Sequence, residues 1–185
     1  MKKLHIKTQR EKEFYKIVIA RSDITNAMRL CDLFLRVVSD IQNPFYFALQ
    51  DAIVTSYARP FSRNKPFGSL ADKWKEFGDL QQSDLHNRLV GMRNQSVAHS
   101  DMSVRRVYIR PPGTAIEVLN DKNEAFGVEI ENQYLEINDI RLIQLLCREL
   151  GSRLNVEVDK ELEEIYGQMS LPPEAIQLIY KEKKS

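Results

Sequence analysis

The run IVIARSDITNAMRLCDLFLRVV, residues 17–38, is written in helical period. Ile17, Ile24, Met28, Cys31, Leu35 and Val38 recur at the spacing of one helix face, and Ala20, Ala27, Leu30, Phe34, Val37 and Ile41 widen the apolar stripe. Arg21 interrupts that face, and Ser22-Asp23 has the composition of a helix start. The pattern therefore fits either a short lead-in followed by a helix or one mostly continuous helix. We take residues 11–41 as mostly continuous, which makes the chain mainly α.

Working outward, Asn43-Pro44 reads as an N-cap with proline at the first helical position. A second helix, 44–58, is expected to bury Phe45, Leu49, Ala52, Ile53 and Ser56. It should stop at Arg59, because Pro60 disfavours helical geometry in the residue before it. Residues 59–81 lose the period, punctuated by Pro60, Pro66, Gly68 and Gly78. Cations and aromatics alternate there: Arg59, Phe61, Arg63, Lys65, Phe67, then Lys73, Trp74, Lys75, Phe77. Ser83-Asp84 is the expected cap of a third helix, 83–99, with Leu85, Leu89, Met92 and Ser96 on its core stripe. From Val104 the residues turn β-branched and short-period, with turn signals at Pro111-Pro112-Gly113 and Asn120–Asn123, so 104–137 reads as a small antiparallel β insertion. Asn138 or Asp139 would cap a fourth long helix, 139–167, carrying Ile140, Ile143, Leu146, Cys147, Leu150 and Leu154. A short helix over 174–180 and a basic tail, 181–185, would complete a single domain spanning 1–185. No internal repeat is evident.

Composition narrows the function classes. The chain has 185 residues, enough for a normal core without metals or disulfides. Its net charge is +1, so any case for a nucleic acid or a membrane partner must rest on local clustering. Cys31 and Cys147 lie far apart in apolar helical patterns and read as reduced core thiols. The basic start, Lys2-Lys3, is followed by no apolar signal core, and no run approaches the roughly 20 apolar residues that span a bilayer. A cytoplasmic, membrane-free protein is expected.

The stretch that carries chemistry is Leu89–Asp101, where Arg93, Asn94 and His99 come together in sequence. On an ideal helix, six residues give about 600° of rotation and ~9 Å of rise, so Arg93 and His99 would point roughly 120° apart. One helix alone does not assemble a site from them. The residue types nevertheless suit RNA cleavage: histidine moves protons near neutrality, and arginine's planar fork matches two phosphate oxygens. Asn94 could orient the phosphate or ribose. The three histidines, His5, His86 and His99, form no ligand cluster in sequence, so neither metal nor cofactor is expected. The structural alternatives are a helix-terminal His99 stabilised by the helix dipole, and an Arg93 paired with Asp84 or Asp101.

Arg93-Asn94-Gln95-Ser96-Val97-Ala98-His99 resembles the signature of HEPN domains: arginine, a polar residue that is often asparagine, then histidine a few residues on. The set Ser56-Tyr57-Ala58-Arg59-Pro60-Phe61, Leu85-His86, Leu89, Met92-Arg93-Asn94 and Val97–Asp101 is similar to a group of HEPN-like bacterial proteins akin to abortive-infection and toxin components. The resemblance covers roughly residues 10–101, with the helix from 139 as a further candidate part of it, and the strand region 104–137 has no counterpart in the HEPN bundle. It implies a helical bundle that dimerises, with two Arg/His motifs facing each other to form one metal-independent endoribonuclease site. Arg93 would hold the phosphate, Asn94 assist, and His99 serve as acid or base. RNA and a cognate antitoxin are the implied partners. Many such domains bind RNA or dimerise without cleaving, which is the second reading. Tyr57, Arg59, Arg63 and Lys65 are candidates for substrate binding. The alternatives are a Tyr57 buried with its hydroxyl bonded, an Arg59 stacked on Phe61 or paired at a helix end, and a surface loop anchored by Phe and Trp.

Overall fold

In the computed structural model one unbroken helix, α1 (Gln9–Val37), runs through the stretch that opens the sequence reading. The structure describes residues 2–62, 67–97, 106–113, 115–116, 121–122, 127–131, 134–169 and 174–180. Thr8 and Glu11 close α1 at its start: Glu11 N donates to Thr8 Oγ1 at 3.1 Å and Thr8 N to Glu11 Oε2 at 2.8 Å. Burial pushes the Glu11 carboxyl up, but the amide hydrogens of Thr8 and Lys7 outweigh it and hold the group below its ordinary range. Ser22-Asp23 starts nothing; Asp23 is buried and occupied elsewhere. At the far end Val38 turns extended, and Asn43 Nδ2 caps the Val37 carbonyl at 2.8 Å, so the helix stops short of residue 41.

The same Asn43 leads into α2 (Tyr46–Ala58) by accepting from Phe45 N at 3.0 Å. Pro44 thus precedes the helix instead of occupying its first position. Ile53 and Ser56 are buried as expected, but the rest of the buried face is turned from the expected one. Phe45 is 59% exposed, whereas Tyr46, Gln50, Ile53, Val54 and Tyr57 are buried. Two bonds to backbone set that rotation: Tyr46 Oη donates to Leu135 O, and Gln50 Oε1 accepts from Leu135 N at 2.7 Å. After Ala58 the chain tightens into a 3₁₀ turn, Arg59–Phe61.

The remaining long helices are α3 (Leu80–Val97) and α4 (Ile137–Tyr166). Glu136 N donates to Asp139 Oδ2 at 3.0 Å at the start of α4. α4 packs antiparallel against α1: Arg10 meets Glu161 and Glu164 at one end, and Asp32 meets Gln144 at the other. Between them lie Ala20, Ile24, Ala27, Cys31 and Phe34 from α1, and Ile143, Leu146, Cys147, Leu150 and Leu154 from α4. Burial pushes the Cys31 thiol up to about 12 and that of Cys147 well above its ordinary value, so both pack as apolar thiols.

The expected last helix over 174–180 is instead a strand. β6 (Ile176–Ile179) pairs in parallel with β1 (Lys2–His5), in register Lys2↔Ile176 through His5↔Ile179, and Ile6 N donates to Ile179 O at 2.9 Å. A seven-residue run fits both periods; the free edge of β1 selects extension because it supplies partners for the backbone.

The chain divides into two compact units. Met1–Arg93 with Leu135–Ser185 holds β1, α1, α2, α4, β6 and most of α3. Asn94–Tyr134 is the second unit. Within it β2 (Arg106–Arg110) pairs antiparallel with β5 (Gly127–Glu131), and β3 (Ala115–Ile116) with β4 (Asp121–Lys122). Among the described residues no helix is long and apolar enough to cross a membrane.

Candidate functional site

α3 begins at Leu80, ahead of the expected Ser83-Asp84, because Asp79 does the capping. Its carboxylate accepts from Gln81 N at 3.0 Å, and its carbonyl from Ser83 N at 3.1 Å. From there Leu85, His86, Leu89 and Met92 are buried. His86 stands one heptad before Arg93, so the two share a side of the helix, about 10.5 Å apart along its axis.

His86 is the centre of a packed polar contact. Tyr57 Oη and His86 Nδ1 are hydrogen-bonded at 2.9 Å, and Tyr57 is fully buried. Phe61 meets the imidazole edge-on at 4.5 Å between centroids, and Phe77 lies at 5.2 Å. Burial, with the nearby Lys75 cation, depresses His86 to about 4, so the ring is neutral near neutrality. Burial raises the Tyr57 phenol well above its ordinary value. The two parts of the sequence quoted for the family resemblance, Tyr57–Phe61 and Leu85-His86, are therefore in direct contact.

Arg59 lies beside that contact but faces outward. Its guanidinium meets Asp23 on α1 at 2.7 Å, half-exposed on the arginine side and nearly buried on the carboxylate side. Burial raises the Asp23 carboxyl, and the charge and hydrogen bond of Arg59 oppose it only in part. A residue expected to mark a helix start is thus the counter-ion of a residue expected to meet substrate.

The loop after Phe61 is fastened from below. Trp74 is buried, and Arg153 of α4 lies over it and over Phe77 while donating to Glu76 O at 2.8 Å and Lys73 O at 2.6 Å. Phe67 stacks on Tyr15 at 4.9 Å. Lys73 pairs with Glu157 and Lys75 with Asp72, each within 2.8 Å. In this loop the rings of Phe61, Trp74 and Phe77 are spent on packing, not displayed for stacking on bases.

Of the residues singled out from sequence, Arg93 is half-buried on α3 and Asn94 follows it, exposed. Asn94 falls in the second unit, and Arg93 closes its segment of the first. His99, Arg63 and Lys65 lie outside the described residues. Tyr57 and Arg59 are two residues apart yet separated by burial, one in the core and one at the surface. Sequence reasoning passed over His86 and Asp23 as site elements. The available signal was that each is a polar residue on an otherwise apolar helix stripe, which calls for a buried partner.

Among the described residues no three His, Cys, Asp or Glu side chains come together in a metal-binding group. No protein-family model, curated protein or solved structure matches the chain.

Proposed function

We propose that the chain is a HEPN-like RNA-acting protein: a metal-independent endoribonuclease of the toxin or phage-defence type, working as a homodimer. In this reading Arg93 holds the scissile phosphate, Asn94 orients it, and His99 transfers the proton. Each protomer supplies one such set to a shared site. The observation that carries the reading is the Tyr57–His86 bond, with Phe61 against the same ring. It links the two separated parts of the resemblance and fixes the side of α3 on which Arg93 stands. Tyr57 then acts by holding His86 and α3, and not by meeting substrate. Arginine's planar fork matches two phosphate oxygens, which suits Arg93 to that role.

The test is incubation of purified protein with a mixed RNA substrate in EDTA, alongside Arg93→Ala and His99→Ala. Cleavage by the wild type and its loss in both variants supports the reading. RNA retention without cleavage by any of the three would replace it with a non-catalytic RNA-binding module. Equal cleavage by all three would dispose of Arg93 and His99 as the site.

A further inference from the structure

Two eight-residue runs share one pattern: RLCDLFLR, residues 29–36 on α1, and RLIQLLCR, residues 141–148 on α4. Arginine stands first and eighth in both, and leucine second and fifth. Burial follows suit, with the first, fifth and eighth residues exposed and the third and sixth buried. The helices meet at the fourth position, where Gln144 Nε2 donates to Asp32 Oδ1. Because α1 and α4 are antiparallel, an approximate local dyad through that bond relates the two runs.

Residues three before and four after a given position share its side of a helix. Arg29 and Arg36 therefore flank Asp32, and Arg141 and Arg148 flank Gln144. Antiparallel register sets Arg36 beside Arg141 and Arg29 beside Arg148. The four guanidinium stems stand at the corners of a patch about 10.5 Å long on each helix, across axes roughly 8–10 Å apart. Exposed Leu33 and Leu145 lie within it.

Among the described residues none of these four arginines enters an ion pair, whereas Arg10, Lys16, Arg59, Lys73, Lys75 and Arg88 all do. Four carboxylates of α4 are engaged away from the patch: Asp139 with Arg88, Glu157 with Lys73, and Glu161 and Glu164 with Arg10. Asp32, between Arg29 and Arg36, is engaged by Gln144, with Arg36 Nε donating to its carbonyl at 3.2 Å. Four like charges around one carboxylate leave a net positive patch whose mutual repulsion an anionic ligand would relieve.

We infer that this face of α1 and α4 binds the phosphate backbone of a double-helical nucleic acid. Arginine forks match phosphate oxygens in pairs. The two antiparallel strands of a duplex relate their phosphates by a local dyad, as the patch relates its arginines. A single strand lacks that dyad, and a second copy of this face would set arginines against arginines. The inference is independent of Arg93 and His99.

The experiment measures binding of a short RNA duplex by fluorescence anisotropy across a salt series. It compares wild type, the control Lys160→Gln at an exposed cation of α4 outside the patch, and the quadruple variant Arg29→Gln, Arg36→Gln, Arg141→Gln, Arg148→Gln. DNA duplex, single-stranded RNA and phosphatidylserine vesicles are the other arms. The expected result is a loss of about tenfold or more in the quadruple variant and a salt slope shallower by roughly three, with both duplexes bound more tightly than single strand or vesicles. Lys160→Gln should bind duplex as wild type does. The quadruple variant should also melt no lower than wild type, since it relieves repulsion. Undiminished duplex binding by a folded quadruple variant, or preference for single strands or vesicles, overturns the proposal.

Discussion

His86 is a histidine that the fold holds neutral. Its folded value of about 4 lies below the ordinary 6.5, so protons favour the unfolded chain. The stability it confers is complete above about pH 6.5 and drains away as pH falls toward 4, an effect on the order of 2 kcal/mol after allowance for solvent screening. Urea melts between pH 7 and pH 4.5 should therefore lose stability less steeply in His86→Gln than in wild type. The Asp23–Arg59 pair makes a second prediction at this scale. Arg59→Ala leaves a buried carboxylate without its cation and should cost roughly 1–3 kcal/mol. Adding Asp23→Asn should recover most of that cost, giving a strongly non-additive double-mutant cycle. Neither residue's role was readable from its own type. A cap signal at Ser22-Asp23 is local, whereas the need of Asp23 for a cation arises from burial against a distant turn.

Helices show where local signals suffice and where they fail. Thr8 and Glu11 cap α1 through bonds between near neighbours, and Thr8→Ala should lower stability by about 1 kcal/mol in chemical denaturation. Gly91, inside α3, is a different case: a Cβ built there meets nothing within 4 Å. Gly91→Ala should therefore stabilise the protein by about 0.5–1 kcal/mol, read as a raised denaturation midpoint. The positions of the long helices were legible because each carries an apolar stripe over several turns. Their ends were less so. Asp79 takes the place of the expected Ser83-Asp84, whereas Asn43 and Asp139, both expected at helix starts, do work there, Asp139 together with Glu136. More than one polar residue near a helix end can take such a role, and packing selects among them. The β6 segment failed for a related reason: seven residues cannot distinguish period 2 from period 3.6 without a partner strand.

At the scale of the molecule, the α1–α4 pair is the frame on which the other parts of the first unit hang. α4 holds the loop through Arg153, meets α3 through Arg88–Asp139, and presents the arginine patch on its opposite flank. Arg153→Leu should loosen residues 73–77 without unfolding the frame, seen as faster amide exchange confined to that loop. The proposed dimeric site makes a prediction of its own. Mixing Arg93→Ala with His99→Ala protomers should restore part of the cleavage that each lacks alone, because one shared site would then hold an intact Arg93 facing an intact His99.

Sequence alone determined that the chain is mainly helical, most of the core face of α1 and α4, and that Arg93, Asn94 and His99 stand close along the chain. These follow from period and spacing, properties that a strand of letters contains in full. Tertiary structure alone decided that β6 is extended, that Tyr57 belongs to the core with His86, and that Asp23 answers Arg59. It also turned two unremarkable octets, at 29–36 and 141–148, into one dyad-related patch. Each of these depends on which side chains meet across helices far apart in sequence, and burial, not local propensity, sets the energy of such meetings.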